Sequence, residues 1–205
     1  MRPLVQIETA DRQLIAGLSA TMAEAEHLSG DWIACRPGCT QCCLGPFAIT
    51  ALDALRLELA LNALRASDPA LAAAIRERAA TYVAAIAPLY PGSAGTGLLL
   101  DPEALPGSFD DVPCPALNPQ SGHCDLYEAR PLTCRSFGPA TRLPDGNIAS
   151  CELCYQGAND EEIAACAVEV ETADAENALL VALEACGQSG TTIVAFALRA
   201  PSPLS

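Results

Sequence analysis

The sequence predicts a mainly α-helical protein, a helical bundle that carries an irregular, cysteine-rich metal-binding segment. Three observations point there. The chain is 51% hydrophobic but only 4% aromatic, with Ala and Leu dominant, and that mixture favours helix over sheet. Apolar residues recur at helical spacing in several stretches. Between those stretches, cysteines gather where neither a helical nor a strand-like apolar pattern runs: Cys35, Cys39, Cys42 and Cys43, then Cys114, Cys124, Cys134, Cys151 and Cys154. At 205 residues the chain is long enough for a single domain with a real core. We expect one domain over 1–205, with a cysteine-cluster core at about 31–157. An N-terminal helix at 10–28 and a C-terminal helical region at 159–200 should flank it.

The first element places Leu14, Ile15, Leu18 and Met22 on one helical face, with Gly30 just past its end. His27, near that end, suits the helix C-terminus better than a ligand position. Gly45 and Pro46 then form a turn, followed by a short apolar connection. Thr50 is placed as an N-cap with Asp53 as its capping-box partner, and the helix it opens should run to about Arg65. Leu52, Leu55 and Leu59 form one stripe on that helix, and Leu57, Leu61 and Leu64 another. A helix apolar on two sides is buried on both. Asp68-Pro69 is an N-cap followed by proline at the first helical position. The helix it starts carries Leu71, Ile75, Tyr82 and Ile86 toward the core and ends near Pro88. The two helices should form an antiparallel hairpin.

From Pro91 to Pro113 the pattern disappears under Gly and Pro, and a loop that long is either disordered or a lid over the metal site. The stretch from Cys114 to Tyr155 is irregular. Asn159, with Glu162 three residues on, caps a helix. Ile163, Cys166, Val170, Leu180, Leu183 and Cys186 follow at roughly helical spacing up to Gly187. Cys166 and Cys186 therefore read as small buried apolar residues. The tail Thr191–Leu198 mixes a β-branched start with a helical end, and helix is the preferred assignment. The Pro-Ser-Pro end is expected to fray.

Charge and composition exclude several functions. Net charge is −14 and all 11 basic residues are Arg. An acidic protein does not track a phosphate backbone, so nucleic acid is an unexpected partner. Without lysine there is neither a Schiff-base amine nor a P-loop lysine. No stretch has the length and apolarity of a membrane span, and the N-terminus does not read as a signal peptide. The expected location is the cytoplasm, a reducing compartment in which disulfides are rare. The 11 cysteines, an odd number, cannot all pair internally, and clustered thiols in that setting point to metal.

Thiolates bind zinc or iron–sulfur clusters because sulfur is a soft, charged donor. Short spacings let one loop supply several ligands with little closure cost. Cys35 to Cys43 reads C-x3-C-x2-C-C. Cys114, Cys124 and Cys134 follow at intervals of ten, and then Cys151-x2-Cys154. These nine exceed what one zinc needs. They suffice for two four-cysteine sites, or for one cluster with spare thiols. The neighbouring side chains of Cys42 and Cys43 tend to point apart, so one is expected on the main site and the other on a second site or in the core. Arg36, Arg130, Arg135 and Arg142 lie within these segments and can offset thiolate charge. His123 is a further, exposed candidate. No catalytic residue can be named.

Cys35–Cys43, then Cys114-Pro115-Ala116-Leu117, then the run from Gly122 to Phe137 with its Tyr127-Glu128-Ala129-Arg130-Pro131 and Cys134-Arg135-Ser136-Phe137, resembles the YkgJ-type cysteine-cluster family. That bacterial family is named for a CxxCxxCC motif and described as a candidate zinc- or iron-chelating domain. The first interval here holds three residues, Arg36, Pro37 and Gly38, instead of two. The resemblance implies metal binding more than any reaction. Similarity of the cysteine motif to flagellin lysine methylase adds an oxygen-sensitive iron–sulfur cluster as an option.

Three functions follow. The first is a cytoplasmic protein binding an iron–sulfur cluster or zinc through Cys39, Cys42, Cys43, Cys114, Cys124 and Cys134, together with Cys35, with iron–sulfur preferred for the excess of thiols. The second is an iron–sulfur-dependent enzyme of methyl-transfer or radical type, in which Glu128 and Arg130 contact substrate. The helical flanks argue against a radical-enzyme barrel. The third is a structural zinc module that binds another protein, its metal fully closed by thiolates.

Overall fold

The computed structural model of the chain describes residues 2–36 and 38–199. The expected Pro-Ser-Pro fraying, and residue 200 of the expected helical region, lie outside these residues. Contacts gather into two compact units. One comprises residues up to Cys39 together with Leu132–Cys186, and the other Thr40–Pro131 together with the chain from Gly187 on. The protein is mainly α, with seven α-helices and short strands among the described residues.

The first unit is built on a long helix, α1 (Arg2–Ser29). It begins eight residues before the expected start, since a proline in the first turn forfeits no intrahelical hydrogen bond. Ile7, Leu14, Leu18, Met22 and Ala25 are buried along one face, spaced by three, four and seven as a helical stripe requires. Against α1 pack the short α4 (Leu132–Ser136), α5 (Asp160–Cys166) and α6 (Ala173–Glu184). The Asn159–Glu162 capping box that opens α5 is present in both directions. The helical spacing from Ile163 to Cys186 is nevertheless interrupted. Val168–Glu169 forms β6, which runs parallel to β4 (Thr141–Arg142), while β5 (Ile148–Ala149) pairs with β4 from the other side. Pairing with a distant strand here overrides local helical preference. Cys166 is buried, as expected, and its thiol donates to the Leu28 carbonyl at 3.4 Å. Cys186 is only half-buried, because it follows the end of α6 instead of lying within a helix face.

The second unit is a helical hairpin closed by a small sheet. After β1 (Ala48–Thr50), Thr50 caps α2 (Ala51–Ser67) in a complete capping box with Asp53. Asp68 caps α3 (Pro69–Ile86) by accepting from the Leu71 amide at 3.0 Å. Leu52, Leu55, Leu57 and Leu61 are buried, so α2 is covered on two sides, although Leu59 stays exposed. The stretch at 91–113 is ordered. It contains the hairpin β2 (Gly92–Ser93) and β3 (Leu98–Leu99), with Phe109 and Val112 packed on a core that includes Tyr82, Ile86 and Phe196. The ambiguous tail is both things in turn, strand β7 (Thr191–Ile193) and then helix α7 (Val194–Arg199). The antiparallel sheet has the order β1-β7-β3-β2, with Ile49 opposite Thr192 and Leu99 opposite Thr191. The β-branched residues serve the ladder and the Ala-Phe-Ala-Leu residues serve the helix.

Candidate metal centres

The first cysteine loop is shared between the units: Cys35 and Cys39 belong to the α1 unit, Cys42 and Cys43 to the hairpin unit.

In the hairpin unit, backbone pairing decides which sulfurs meet. The Cys114 amide donates to the Cys43 carbonyl at 2.7 Å, and Leu44 bridges Pro113. Ten residues on, the chain has reversed on Asn118, whose side-chain oxygen accepts from the Gln120 and Ser121 amides. That Asx turn brings Cys124 back beside Leu117, with the Asp125 amide on the Ala116 carbonyl at 2.8 Å. Arg78 of α3 fixes the returning strand. Its guanidinium donates to the Pro115 carbonyl at 2.8 Å and to Asp125 at 2.7 Å, and Asn118 donates to the other oxygen of Asp125. Cys114 and Cys124 rest on the α2–α3 core.

The four thiols then act on one another. The Cys43 thiol donates to Cys42, and this lowers the Cys42 pKa to about 6 against the opposing cost of burial, with Arg130 helping. Cys43 is pushed far up in return by Cys42, by burial, and by Cys114 and Cys124. Burial drives Cys114 up to about 12, and burial also raises Cys124. One thiolate is thus favoured in an apolar setting where four would repel. The Arg130 guanidinium, 3.8 Å above the Tyr127 ring, is the positive charge that acts on both Cys42 and Cys124.

The α1 unit assembles its sulfurs on turns. The Cys39 amide closes on the Arg36 carbonyl, and the Cys154 amide on the Cys151 carbonyl at 2.9 Å. Cys151 in turn donates its amide to Gly138. The Ala34 amide points at the Cys154 sulfur, 3.5 Å away, and Cys35 and Cys154 share a hydrogen bond between their thiols. Cys35 is exposed as a residue, but its sulfur lies over Gly138, where a β-carbon would come within 2.7 Å of it. Burial of that sulfur, and the neighbouring Cys154, Cys39 and Cys151, raise its pKa to about 12. Cys151 and Cys154 are buried. Cys134 sits half-buried in α4 of the same unit.

One residue locks this group. Tyr155 takes a left-handed backbone, φ 57°, which is costly for a bulky side chain. Its amide donates to Trp32, and its hydroxyl accepts from the Ala140 amide at 2.8 Å and meets the Ser29 hydroxyl at 2.6 Å. Because the Ser29 hydroxyl gives its one proton to the Ala25 carbonyl at 2.5 Å, it accepts from the phenol of Tyr155. The end of α1, the start of β4 and the Cys151–Cys154 turn are thereby tied together.

None of the eleven cysteines is joined in a disulfide. Among the described residues no group of three or more cysteine, histidine, aspartate or glutamate side chains is arranged so that it could hold a metal ion. Cys42, Cys43, Cys114 and Cys124 act on one another in the hairpin unit, and Cys35, Cys39, Cys151 and Cys154 in the α1 unit. The sequence reading missed Tyr155, Gly138, Arg78 and Asp125, and the turn residues Asn118-Pro119 and Ser121-Gly122 were the local signals of the turn that returns Cys124. His123 is exposed, as expected. Arg142 is engaged with the Ala164 carbonyl at 3.2 Å, Arg135 is buried and Arg36 is exposed.

The family model CxxCxxCC, described as "Putative zinc- or iron-chelating domain", matches residues 34–167. No curated protein and no solved structure matches the chain.

Proposed function

The chain belongs to the CxxCxxCC family, and on that footing we propose that it holds metal at two separate centres, one in each unit. Cys42, Cys43, Cys114 and Cys124 supply the first. Cys35, Cys39, Cys151 and Cys154 supply the second, with Cys134 as a further thiol of that unit. The observation that carries this is the composition of the two groups: each joins sulfurs of the first loop to sulfurs from a segment more than seventy residues away in sequence.

The residues fit a soft metal. Every donor in both groups is sulfur, the ligand preferred by zinc and by iron–sulfur clusters. The hairpin group already favours one thiolate, and metal binding would remove the remaining protons. Gly138 leaves space over which the Cys35 sulfur sits. A bound zinc would supply a rigid cross-link, and a bound cluster would supply one-electron chemistry. Around it, Arg130 would offset charge at the hairpin centre, and Tyr155 would hold the α1-unit turn in place. Four thiolates close a coordination shell, which favours a structural or electron-carrying role over catalysis at an open position. We prefer iron–sulfur, because paired four-cysteine groups suit clusters and a net charge of −14 does not suggest a nucleic-acid partner. Such a protein would work in the reducing cytoplasm.

Anaerobic purification followed by metal and sulfide analysis tests this. Iron with sulfide and a broad visible absorption supports the cluster. Two zinc ions per chain in a colourless protein supports the structural module. A chain with neither metal overturns the proposal.

A further inference from the structure

The hairpin unit contains a buried polar atom without a partner. Tyr82, on α3, is 6% exposed. Its hydroxyl oxygen has essentially no accessible surface and no hydrogen-bond partner among the described residues. Buried hydroxyls are rarely left so, because the loss of hydration goes uncompensated. The ring itself is explained: it packs 5.7 Å from Phe109 in the apolar cluster, a place that phenylalanine would fill as well. The hydroxyl needs a separate reason.

Tyr82 and Cys114 line the same cavity of about 10 Å³, together with Gly45, Phe47, Pro115 and Val194. Most of these companions are apolar, and the cavity is at the lower limit for one water. Of the side chains lining it, only the cysteine can accept a phenolic proton once it becomes a thiolate. Asp110, the other charge acting on Tyr82, is exposed and solvated. Burial raises the Tyr82 pKa, so the phenol keeps the proton it would donate.

We propose that Tyr82 is a positioning residue of the hairpin centre, its hydroxyl donating a hydrogen bond to the sulfur of Cys114 when that sulfur is a metal-bound thiolate. The proposal rests on Cys114 being a ligand. A protonated sulfur is only a weak acceptor, and the hydroxyl has no partner here. With metal, the thiolate gains a donor that lowers its basicity and fixes its direction. No local pattern signals this, since Tyr82 occupies an ordinary core position of an amphipathic helix.

The test uses cobalt(II) as the probe, in the full chain carrying Cys151→Ser and Cys154→Ser so that the hairpin centre dominates the sulfur-to-cobalt charge-transfer band. Tyr82→Phe keeps the ring and removes the donor. The band should move to lower energy, and acid-driven release of cobalt should begin at higher pH, with affinity at neutral pH falling about tenfold. Tyr90→Phe is the control for general loosening, since Tyr90 is a buried tyrosine of the same unit whose hydroxyl bonds the Gly97 carbonyl. It should leave the band unmoved. Identical spectra and release curves for the parent chain and its Tyr82→Phe variant overturn the inference while leaving the metal centre standing. Failure of the parent chain to take up cobalt overturns the metal proposal and this inference with it.

Discussion

The two sulfur groups use the same ligand type but are organised by different means. In the hairpin unit, the Cys114–Cys124 turn rests on the α2–α3 core and is pinned by Arg78 through Asp125, and a backbone hydrogen bond joins the vicinal pair to it. Rigid helices support that arrangement, and Arg130 supplies compensating charge. In the α1 unit, the sulfurs sit on turns whose geometry depends on special backbone: the left-handed Tyr155 and the bare Gly138. Packing organises the first group and local conformation the second. The two should therefore fail under different substitutions.

The largest expected effect separates the centres outright. Cys114→Ser should remove the metal of the hairpin unit and leave that of the α1 unit, and Cys154→Ser should do the reverse. Metal content per chain should fall by half in each. If either variant loses all metal, one shared centre replaces the pair.

Gly138→Ala should be next. It sets a β-carbon 2.7 Å from the Cys35 sulfur at φ +125°. Strained backbone of this kind costs about 1–3 kcal/mol, to which the displaced sulfur adds. Gly146→Ala, at φ +86° with nothing near it, carries only the conformational part. Thermal melts should rank Gly138→Ala as the more destabilised, and only that variant should shed metal from the α1 unit. Equal behaviour of the two would detach Gly138 from the centre.

A smaller effect is expected from Tyr155→Phe. It leaves the buried Ala140 amide without its acceptor, at a cost of about 1–3 kcal/mol. Denaturant titration should show the loss, and the α1-unit metal should exchange faster while the hairpin metal does not.

The smallest effect concerns protons. A lowered pKa means that a thiolate persists to lower pH, so alkylation of Cys42 in the metal-free protein should rise through about pH 6 and not near the ordinary thiol value. Arg130→Gln removes a positive charge that favours the thiolate, so it should move that onset upward. Peptide mass spectrometry after iodoacetamide labelling reads both. Alkylation that begins only near pH 9 would show that the hairpin group does not favour a thiolate.

Sequence legibility follows the range of the interaction. The caps at Thr50, Asp68 and Asn159 were readable because each is a local exchange within three residues. The buried stripe of α1 was readable from its period. Strands of two or three residues were not, because Val168 pairs with Thr141 and Leu99 joins the larger sheet through Thr191, partners far along the chain. The same limit applies to the cysteines. Their types and clustering announced a soft-metal protein. Which sulfur belongs with which depends on the Cys43–Cys114 pairing and on the turn at Asn118. Tyr155 and Arg78 carry no motif at all, and their roles appear only through the distant atoms they bind.

Strand β7 lies between β1 and β3 and is contributed by Thr191–Ile193. All nine candidate ligands are translated before it. A nascent chain therefore exposes every one of these thiols before the hairpin unit can complete its sheet, and the apolar floor under Cys114 and Cys124 waits for Val194 and Leu198. If the proposed hairpin centre holds metal, its loading belongs after synthesis of Thr191–Leu198, and oxidation of the waiting thiols is a hazard of the interval that precedes it.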